Sequence, residues 1–420
     1  MSDQTVQTDV LIVGGGPAGA LLGHLLARRG IDVLVAERQT SLEREFRGET
    51  IAAPSVVTLR RLGFGPALDG HGYLPTEGVT MRMEGRRVMH VDYRRFGVGE
   101  VPIDIPQPAL IKIFIDAGQR HRGFDYQFGT TFTRLIEQDG AIRGAWLRRR
   151  DGSSVEVRAR LVVGADGRFS KVRHAAGLTA DVQQMARDFL QFRLPRPPQW
   201  GQQAELVINR DRHLVVLPTF PDSLRIGTNL PKRSLGALRK AGFDAFRSVV
   251  AALDPRLAPL VQQHLRTWDD TSFLEIFTAE VPQWSRDGLI LVGDASHTCT
   301  PILGQGVNVA IQDAVCLTPV IAAALAADRA PVVTSADTAE FVTQRQRHKA
   351  FVTRFQRIQE SALAQGGTVG VLLRRARYRT LDVLPLKYRI FGSVLNAPHQ
   401  IDPADLAEDV RTGPAVGTGD

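Results

Sequence analysis

The feature that most constrains this chain is the run Gly14-Gly15-Gly16-Pro17-Ala18-Gly19, set directly behind the apolar stretch Val10–Val13. A helical pattern follows from about Pro17 to Arg29, and a second apolar run covers Ile31–Ala36. The order strand, tight turn, helix, strand is completed within about 30 residues, the size of one nucleotide-binding unit. The spacing G-x-G-x-x-G gives each glycine a task. Gly14 permits the turn, Gly16 leaves the backbone open to a pyrophosphate, and Gly19, next to the small Ala18, lets helix and strand approach closely. The positive end of the helix then faces the phosphate charge. Glu37 ends the second strand, with Arg38 beside it. A carboxylate there accepts hydrogen bonds from both hydroxyls of an adenosine ribose and opposes a 2′-phosphate.

Two more glycine-rich segments follow apolar strands. Gly164-Ala165-Asp166-Gly167 comes after Leu161–Val163. Gly293-Asp294-Ala295-Ser296-His297 comes after Leu289–Val292 and runs on to Pro301-Ile302-Leu303-Gly304-Gln305-Gly306-Val307-Asn308. Gly304 to Val307 precede a long helical segment, Val307–Ala327, so unpaired backbone N–H groups and a positive helix end point outward there. Such donors suit an anionic ring without help from a charged side chain.

With these three motifs in this order, from Val10 to about Ala314, the chain resembles the class A flavoprotein monooxygenases, the group of para-hydroxybenzoate hydroxylase and the aromatic polyketide hydroxylases. The resemblance implies bound FAD, with NADPH or NADH as electron donor. It implies that Asp166 and Gly167 sit where the pyrophosphate and the entering nicotinamide cofactor come close. It places Gly293 and Asp294 at the ribityl or pyrophosphate region, and Pro301, Gly304, Gln305, Gly306, Val307 and Asn308 along the isoalloxazine. Arg47 matches an arginine that reaches the FAD phosphates, and Gln107 a glutamine opening the next helix near FAD.

The rest of the chain reads as strands interrupting these elements. Residues 71–105 alternate apolar and polar, as do runs such as Ala204–Ile208, His213–Leu217 and Ser223–Thr228. Asp125–Thr133, Ala141–Arg149 and Val155–Arg160 read as strands, with a hairpin tip at Arg150-Asp151-Gly152. The expected fold class is therefore α/β: a Rossmann-type FAD-binding domain built from the discontinuous segments 1–70, 107–180 and 281–330. An antiparallel, sheet-rich substrate domain covers 71–106 and 181–280. C-terminal helices are expected over 331–396 and a mobile tail over 397–420. The 420 residues, 43% hydrophobic and 23% charged, suffice for a large core. The two cysteines, Cys299 and Cys316, show no metal-ligand spacing, and no metal is expected. The net charge of +8 is scattered rather than patched, which argues against nucleic acid. The N-terminus lacks a signal-peptide pattern, and no apolar stretch of about 20 residues is evident, so a cytoplasmic protein without stable membrane insertion is expected.

For the reaction, the resemblance implies hydroxylation of a small aromatic or polyketide-like substrate with O2, through a flavin C4a-hydroperoxide. No Ser/His/Asp or Cys/His grouping stands out, and such chemistry needs no protein nucleophile. His213, Val215, Leu217 and Arg225 in the strand-rich region, with Ile302 and Leu303 beside the third motif, are the candidate pocket residues, and Tyr93 lies in the same kind of segment. His297 and Cys299 are read as structural. A reductase of isoprenoid double bonds and a flavin-dependent halogenase are the alternatives within the fold. The halogenase pattern Trp-x-Trp-x-Ile-Pro is absent around Trp146, Trp200, Trp268 and Trp284. A flavin-binding sensor is the alternative outside catalysis. No room is left for the thioredoxin-like domain of phenol hydroxylase relatives, so a monomer or small homo-oligomer is expected.

Overall fold

A computed structural model of the chain describes residues 4–43, 49–364, 366–395 and 401–407. Its centre is a sheet of eight strands. Gln4–Val13 lies in the middle, parallel to Ser154–Gly164 on one side and to Val33–Ala36 on the other. Leu289–Leu291 extends the sheet beyond Ser154–Gly164, and Phe124–Gln127 extends it beyond Val33–Ala36, both in parallel. Val10–Val13, Leu161–Val163, Val33–Ala36 and Leu289–Leu291 within these strands are continuous apolar runs because both faces are covered there. Val10, Leu11, Ile12, Val162 and Val163 are fully buried. The register pairs Ala36 with Val13, Val13 with Gly164, and Gly164 with Leu291. The carboxyl ends of four strands therefore share one edge, and each is followed by one of the motifs or by Glu37.

The helix Pro17–Arg28 packs against Gln107–Gly118 and against the helix Gln305–Ala327. The segment Ile302–Ala327 is long and apolar enough to cross a membrane, which corrects the reading that no such stretch exists. Gln312 and Asp313 break its apolar run in the sequence and hide its character. Most of it is buried, with Ile311, Ala314, Val315, Leu317 and Ile321 fully so, and it serves as a core helix.

The second sheet has seven strands in the order Thr271–Leu274, Arg187–Pro195, Ser223–Pro231, Arg212–Thr219, Gln203–Asn209, Gly78–Met83, Arg86–Asp92. It is antiparallel except where Gln203–Asn209 runs parallel to Gly78–Met83, since these two strands arrive from distant parts of the chain. Leu190, Phe192, Leu194, Leu214, Val216, Leu224 and Ile226 cluster with Phe246, Val250, Leu257 and Val261 of a helical layer. That layer, Leu235–Ala241, Phe243–Leu253 and Ala258–His264, lies where the sequence reading named only strands. The period of two then sends Gln191, Arg193, Val215, Leu217 and Arg225 to the opposite face.

Other differences are local. Asp125–Thr133 is two strands, Phe124–Gln127 and Thr131–Gln138, divided at Gly129 with φ +64°. Val155–Arg160 and Leu161–Val163 form one strand, Ser154–Gly164. The C-terminal region holds the helices Ala339–Ala364, Thr368–Val383 and Leu386–Leu395. Part of the tail expected to be mobile is held in place. Asp405 is fully buried and accepts from Arg29 Nε at 2.7 Å and Nη2 at 2.8 Å.

Candidate active site

The three motifs meet at the carboxyl edge of the central sheet. A Cβ on Gly14 (φ +107°) would lie 2.4 Å from the carbonyl oxygen of Ala165, so the first motif is pressed against the second. A Cβ on Gly293 would lie 3.6 Å from that of Ala18, so the third closes on the first. On Gly19 it would lie 2.0 Å from the carbonyl oxygen of Gly14, which is the tight helix–strand approach that the spacing predicts. Gly16 is different: a Cβ there meets nothing within 4 Å. Gly16 caps the helix Pro17–Arg28 without a side-chain bond, so the N–H groups of the first turn face open space. This is a cradle shaped for a pyrophosphate.

Glu37 is buried at the end of its strand. Its Oε2 accepts from Gly15 N at 2.8 Å and its Oε1 from Gln39 N at 2.9 Å. Both oxygens are thus held at the turn of the first motif. Tyr126, which sequence reasoning missed, donates from its hydroxyl to the Gly15 carbonyl at 2.9 Å and locks the same turn. Arg38 is exposed on the rim, and Gln107 is buried at the start of its helix. Arg47 lies outside the described residues.

Asp166 stands against the first motif, its Cα 2.8 Å from where a Cβ on Gly14 would lie. Its carboxylate accepts from Ser170 Oγ at 2.5 Å, Lys171 N at 2.6 Å and Val172 N at 3.1 Å, capping the helix Lys171–Ala175. These bonds fix the second motif, while Gly167 (φ +84°) leaves open space beside it. Asn308 ties the third motif to the segment Thr50–Ala52. Its Oδ1 accepts from Ala52 N at 2.8 Å, and its Nδ2 donates to the carbonyls of Gly304 (2.9 Å) and Thr50 (3.3 Å).

The loop before the long helix keeps Pro301, Ile302, Leu303 and Gly304 half-exposed. Leu303 (φ +63°) and Gly304 (φ +61°) are successive left-handed residues that swing the backbone into the helix. The Gln305 side chain turns back to donate to the Leu303 carbonyl at 3.0 Å, Val307 is buried, and a Cβ on Gly306 would meet nothing within 4 Å. Gln356, from the C-terminal helix Ala339–Ala364, accepts from Thr300 N and donates to the carbonyls of Thr300 and Ile302. Asp294 is half-buried in the adjoining turn at the sheet edge.

Behind this loop lies a buried charge network. Asp313 accepts from Gly293 N at 2.8 Å, Arg345 Nε at 2.8 Å and Lys349 Nζ at 2.7 Å. Lys349, fully buried, also donates to Ser296 Oγ at 3.0 Å and stands 4.4 Å from the Trp284 ring centre. Burial opposes charge on Asp313, but Lys349 and Arg345 outweigh it and hold its carboxyl below the usual carboxylate range. The signal was a lone acid inside an apolar helix, which needs a buried partner. His297 bonds Thr353 at 2.8 Å and burial lowers it to about 3, while burial pushes Cys299 up to about 12. Neither is poised for proton transfer or nucleophilic attack near neutral pH.

The second sheet turns the face opposite its 235–264 helical layer toward the same place, with the Leu206 and Ile208 end of that face packed under the C-terminal helices. Arg193 pairs with Arg225 and Arg225 with Leu217, and Gln191 with Gly227 and Gly227 with Val215. Arg193 Nη2 donates to Glu49 Oε1 at 2.5 Å. Arg225 stands 3.7 Å from Glu49 and 3.9 Å from Asp104. Glu49 is followed by Thr50, which Asn308 holds against Gly304, so Arg193 and Arg225 are tied through Glu49 to the edge of the third motif. Glu49, Asp104 and Arg193 were not legible beforehand, because their partners are remote in sequence. His213 shares this face but lies four residues from Leu217, about 13 Å along the strand. It packs on Phe189 with ring centres 5.4 Å apart, and burial lowers it to about 3. Tyr93 lies elsewhere, in a turn where it stacks on Phe96 beneath the C-terminal helices.

Burial pushes Asp104 up from 3.8 to about 6, against the pull of Arg225. An acid whose folded pKa is raised contributes stability that is full below its unfolded pKa and lost as pH rises through the folded one, here about 3 kcal/mol. Asp104→Asn is therefore expected to raise the urea midpoint at about pH 7.5 and leave it unchanged at about pH 4. Equal shifts at both values contradict the assignment.

Comparison with known proteins agrees with this geometry. The family described as FAD binding domain matches residues 7–345. The 6-methylpretetramide 4-monooxygenase of Streptomyces rimosus is 35% identical over 316 residues, 75% of this chain and 75% of its own length. The kynurenine 3-monooxygenase of Salinispora arenicola is 31% identical over 76% of this chain and 74% of its own. Among solved structures, PqsL of Pseudomonas aeruginosa shares the fold with a TM-score of 0.76 at 20% identity, covering 89% of this chain and 99% of its own. The chain belongs to the FAD binding domain family, among its FAD-dependent monooxygenases.

Proposed function

We propose that the chain hydroxylates an electron-rich aromatic ring of a polyketide-like substrate, taking one oxygen atom from O2 and electrons from NADPH or NADH. The observation that carries this reading is the convergence of the three motifs at one sheet edge, with a mixed apolar and cationic sheet face brought up to them through Glu49 and Thr50. The relative named for 6-methylpretetramide supports the substrate class.

In this reading Gly14, Gly16, Ala18, Gly19, Glu37 and Arg38 hold the adenosine and pyrophosphate half of FAD. Gln107, Gly293 and Asp294 hold its middle, and Pro301 and Gly304–Val307 hold its ring. Bound FAD supplies the electron relay and the activation of O2. The protein's share is positioning and exclusion of water. Ile302, Leu303, Val215 and Leu217 offer apolar walls. Arg193, held by Glu49, offers a cation to an ionised substrate oxygen, which makes the ring a better acceptor of electrophilic oxygen. All four tryptophans are committed to packing: Trp146 with Arg134, Trp200 with Arg256, Trp268 with Phe246 and Trp284 with Lys349. This supports hydroxylation over halogenation. The enzyme is placed in the cytoplasm as a monomer or small homo-oligomer that engages no nucleic acid. A screen of phenols and polycyclic aromatics tests the reading. A substrate is expected to stimulate NAD(P)H consumption by the FAD-loaded protein, and FAD-loaded protein indifferent to every such ring would contradict it.

A further inference from the structure

The helix Thr368–Val383 turns its polar side inward. Arg374 and Tyr378 are buried, and Arg374 donates to backbone carbonyls of Ala362, Leu363 and Arg210. Its outward face is apolar: Val369 is 70% exposed, Leu372 57%, Leu373 65% and Val383 80%. With Ala376 and Thr380 these residues follow the spacing i, i+3, i+4, i+7, i+11, i+14, which is one stripe on a helix. The chain continues in the same character through the exposed Leu384 and Leu386. Exposed Arg377 and Arg379 stand about 80° to either side of the stripe. Between Thr368 and Leu395 there are five arginines and one lysine against a single aspartate. A cavity of about 360 Å³, lined by Arg377, Thr380, Leu384, Leu386 and Ile390 among others, opens beside this surface.

An apolar stripe flanked by arginines and lying on the outside matches a helix that rests in the plane of a bilayer surface. We propose that this face docks the enzyme on anionic lipid. The leucines and valines enter the boundary between headgroups and acyl chains, and Arg377 and Arg379 meet the phosphates. Charge selects this occupant over a second copy of the chain, since pairing two such faces brings rows of arginines together, whereas anionic headgroups complement them. The attachment is peripheral. Among the described residues, the one helix long and apolar enough to span a membrane is mostly buried in the core and takes no part. The inference does not depend on which substrate is hydroxylated.

The test uses the FAD-loaded full chain and vesicles of phosphatidylcholine, alone or with about a third phosphatidylglycerol. Co-sedimentation is expected with the anionic vesicles, weakening as salt is raised. Leu372→Ser with Leu373→Ser, and separately Arg377→Glu with Arg379→Glu, are expected to weaken binding at least about tenfold, with thermal stability and NAD(P)H oxidation unchanged. Wild type remaining in the supernatant would overturn the proposal, as would full binding by both variants or equal binding to phosphatidylcholine alone. Velocity sedimentation provides a further contrary outcome. If the leucine variant merely dissociates a dimer that never bound vesicles, the face is a contact between copies and the proposal fails.

Discussion

Asp313→Ala is expected to destabilise the protein by about 3–5 kcal/mol and to strip it of FAD. The carboxylate is fully buried and ionised, and it is the shared partner of Lys349 and Arg345, which are themselves buried. Removing it leaves two cations without a counter-charge, the most costly way to break such a group. Asp313 also accepts from Gly293 N, while Lys349 reaches Ser296, so the turn bearing Asp294 loses its support from behind. A urea titration measures the stability, and released FAD is read by fluorescence. Because the folded pKa of Asp313 is depressed, the stability it contributes is present above the ordinary carboxylate range and is lost as pH falls through the folded value. The gap between wild type and variant should therefore narrow in strong acid. A loss below about 1 kcal/mol at neutral pH would mean that the network is not the brace described.

A pair of glycine substitutions should separate folding from cofactor binding. Gly19→Ala places a methyl 2.0 Å from the backbone oxygen of Gly14, where nothing flexible can yield. Helix and strand must part, and both stability and FAD are expected to be lost. Gly16→Ala meets no protein atom within 4 Å, so the fold should be kept. The added methyl instead occupies the space assigned to the pyrophosphate, and FAD affinity should fall at least about tenfold, or 1.4 kcal/mol. Fluorescence titration of the apoprotein with FAD measures the second effect. Wild-type affinity in a well-folded Gly16→Ala protein would remove the pyrophosphate from this cradle.

What the sequence made legible was local. Val10–Val13, the glycine turn and the helix behind it are adjacent in the chain, and their chemistry follows from spacing alone. The same holds for Gly293-Asp294 and the loop to Asn308. What it hid was long-range. Arg193 meets Glu49 across 144 residues, and Lys349 meets Asp313 across 36, and no local pattern announces either pair. The bonds that Asp166 and Asn308 make are hidden for a related reason. Each side chain is occupied by backbone groups that only the folded chain brings near. The helices within 235–264 were a different kind of miss, because Phe243, Phe246 and Val250 stand at i, i+3, i+7, a helical spacing that the neighbouring strand-like runs overshadowed. Composition puts Asp405 in a mobile tail, yet it accepts two bonds from Arg29, just past the first helix.

The central claim is that this site transfers one atom of molecular oxygen to carbon. Mass spectrometry of the product formed under isotopically labelled O2 tests it most directly, with the FAD-loaded protein, NADPH and a substrate that stimulates its oxidation. The account predicts a product heavier than the substrate by one labelled oxygen, with none taken from water. A product that gains two hydrogens and no label, or turnover that continues without oxygen, would make the chain a reductase and contradict it, and a bromine or chlorine isotope pattern would do the same in favour of halogenation.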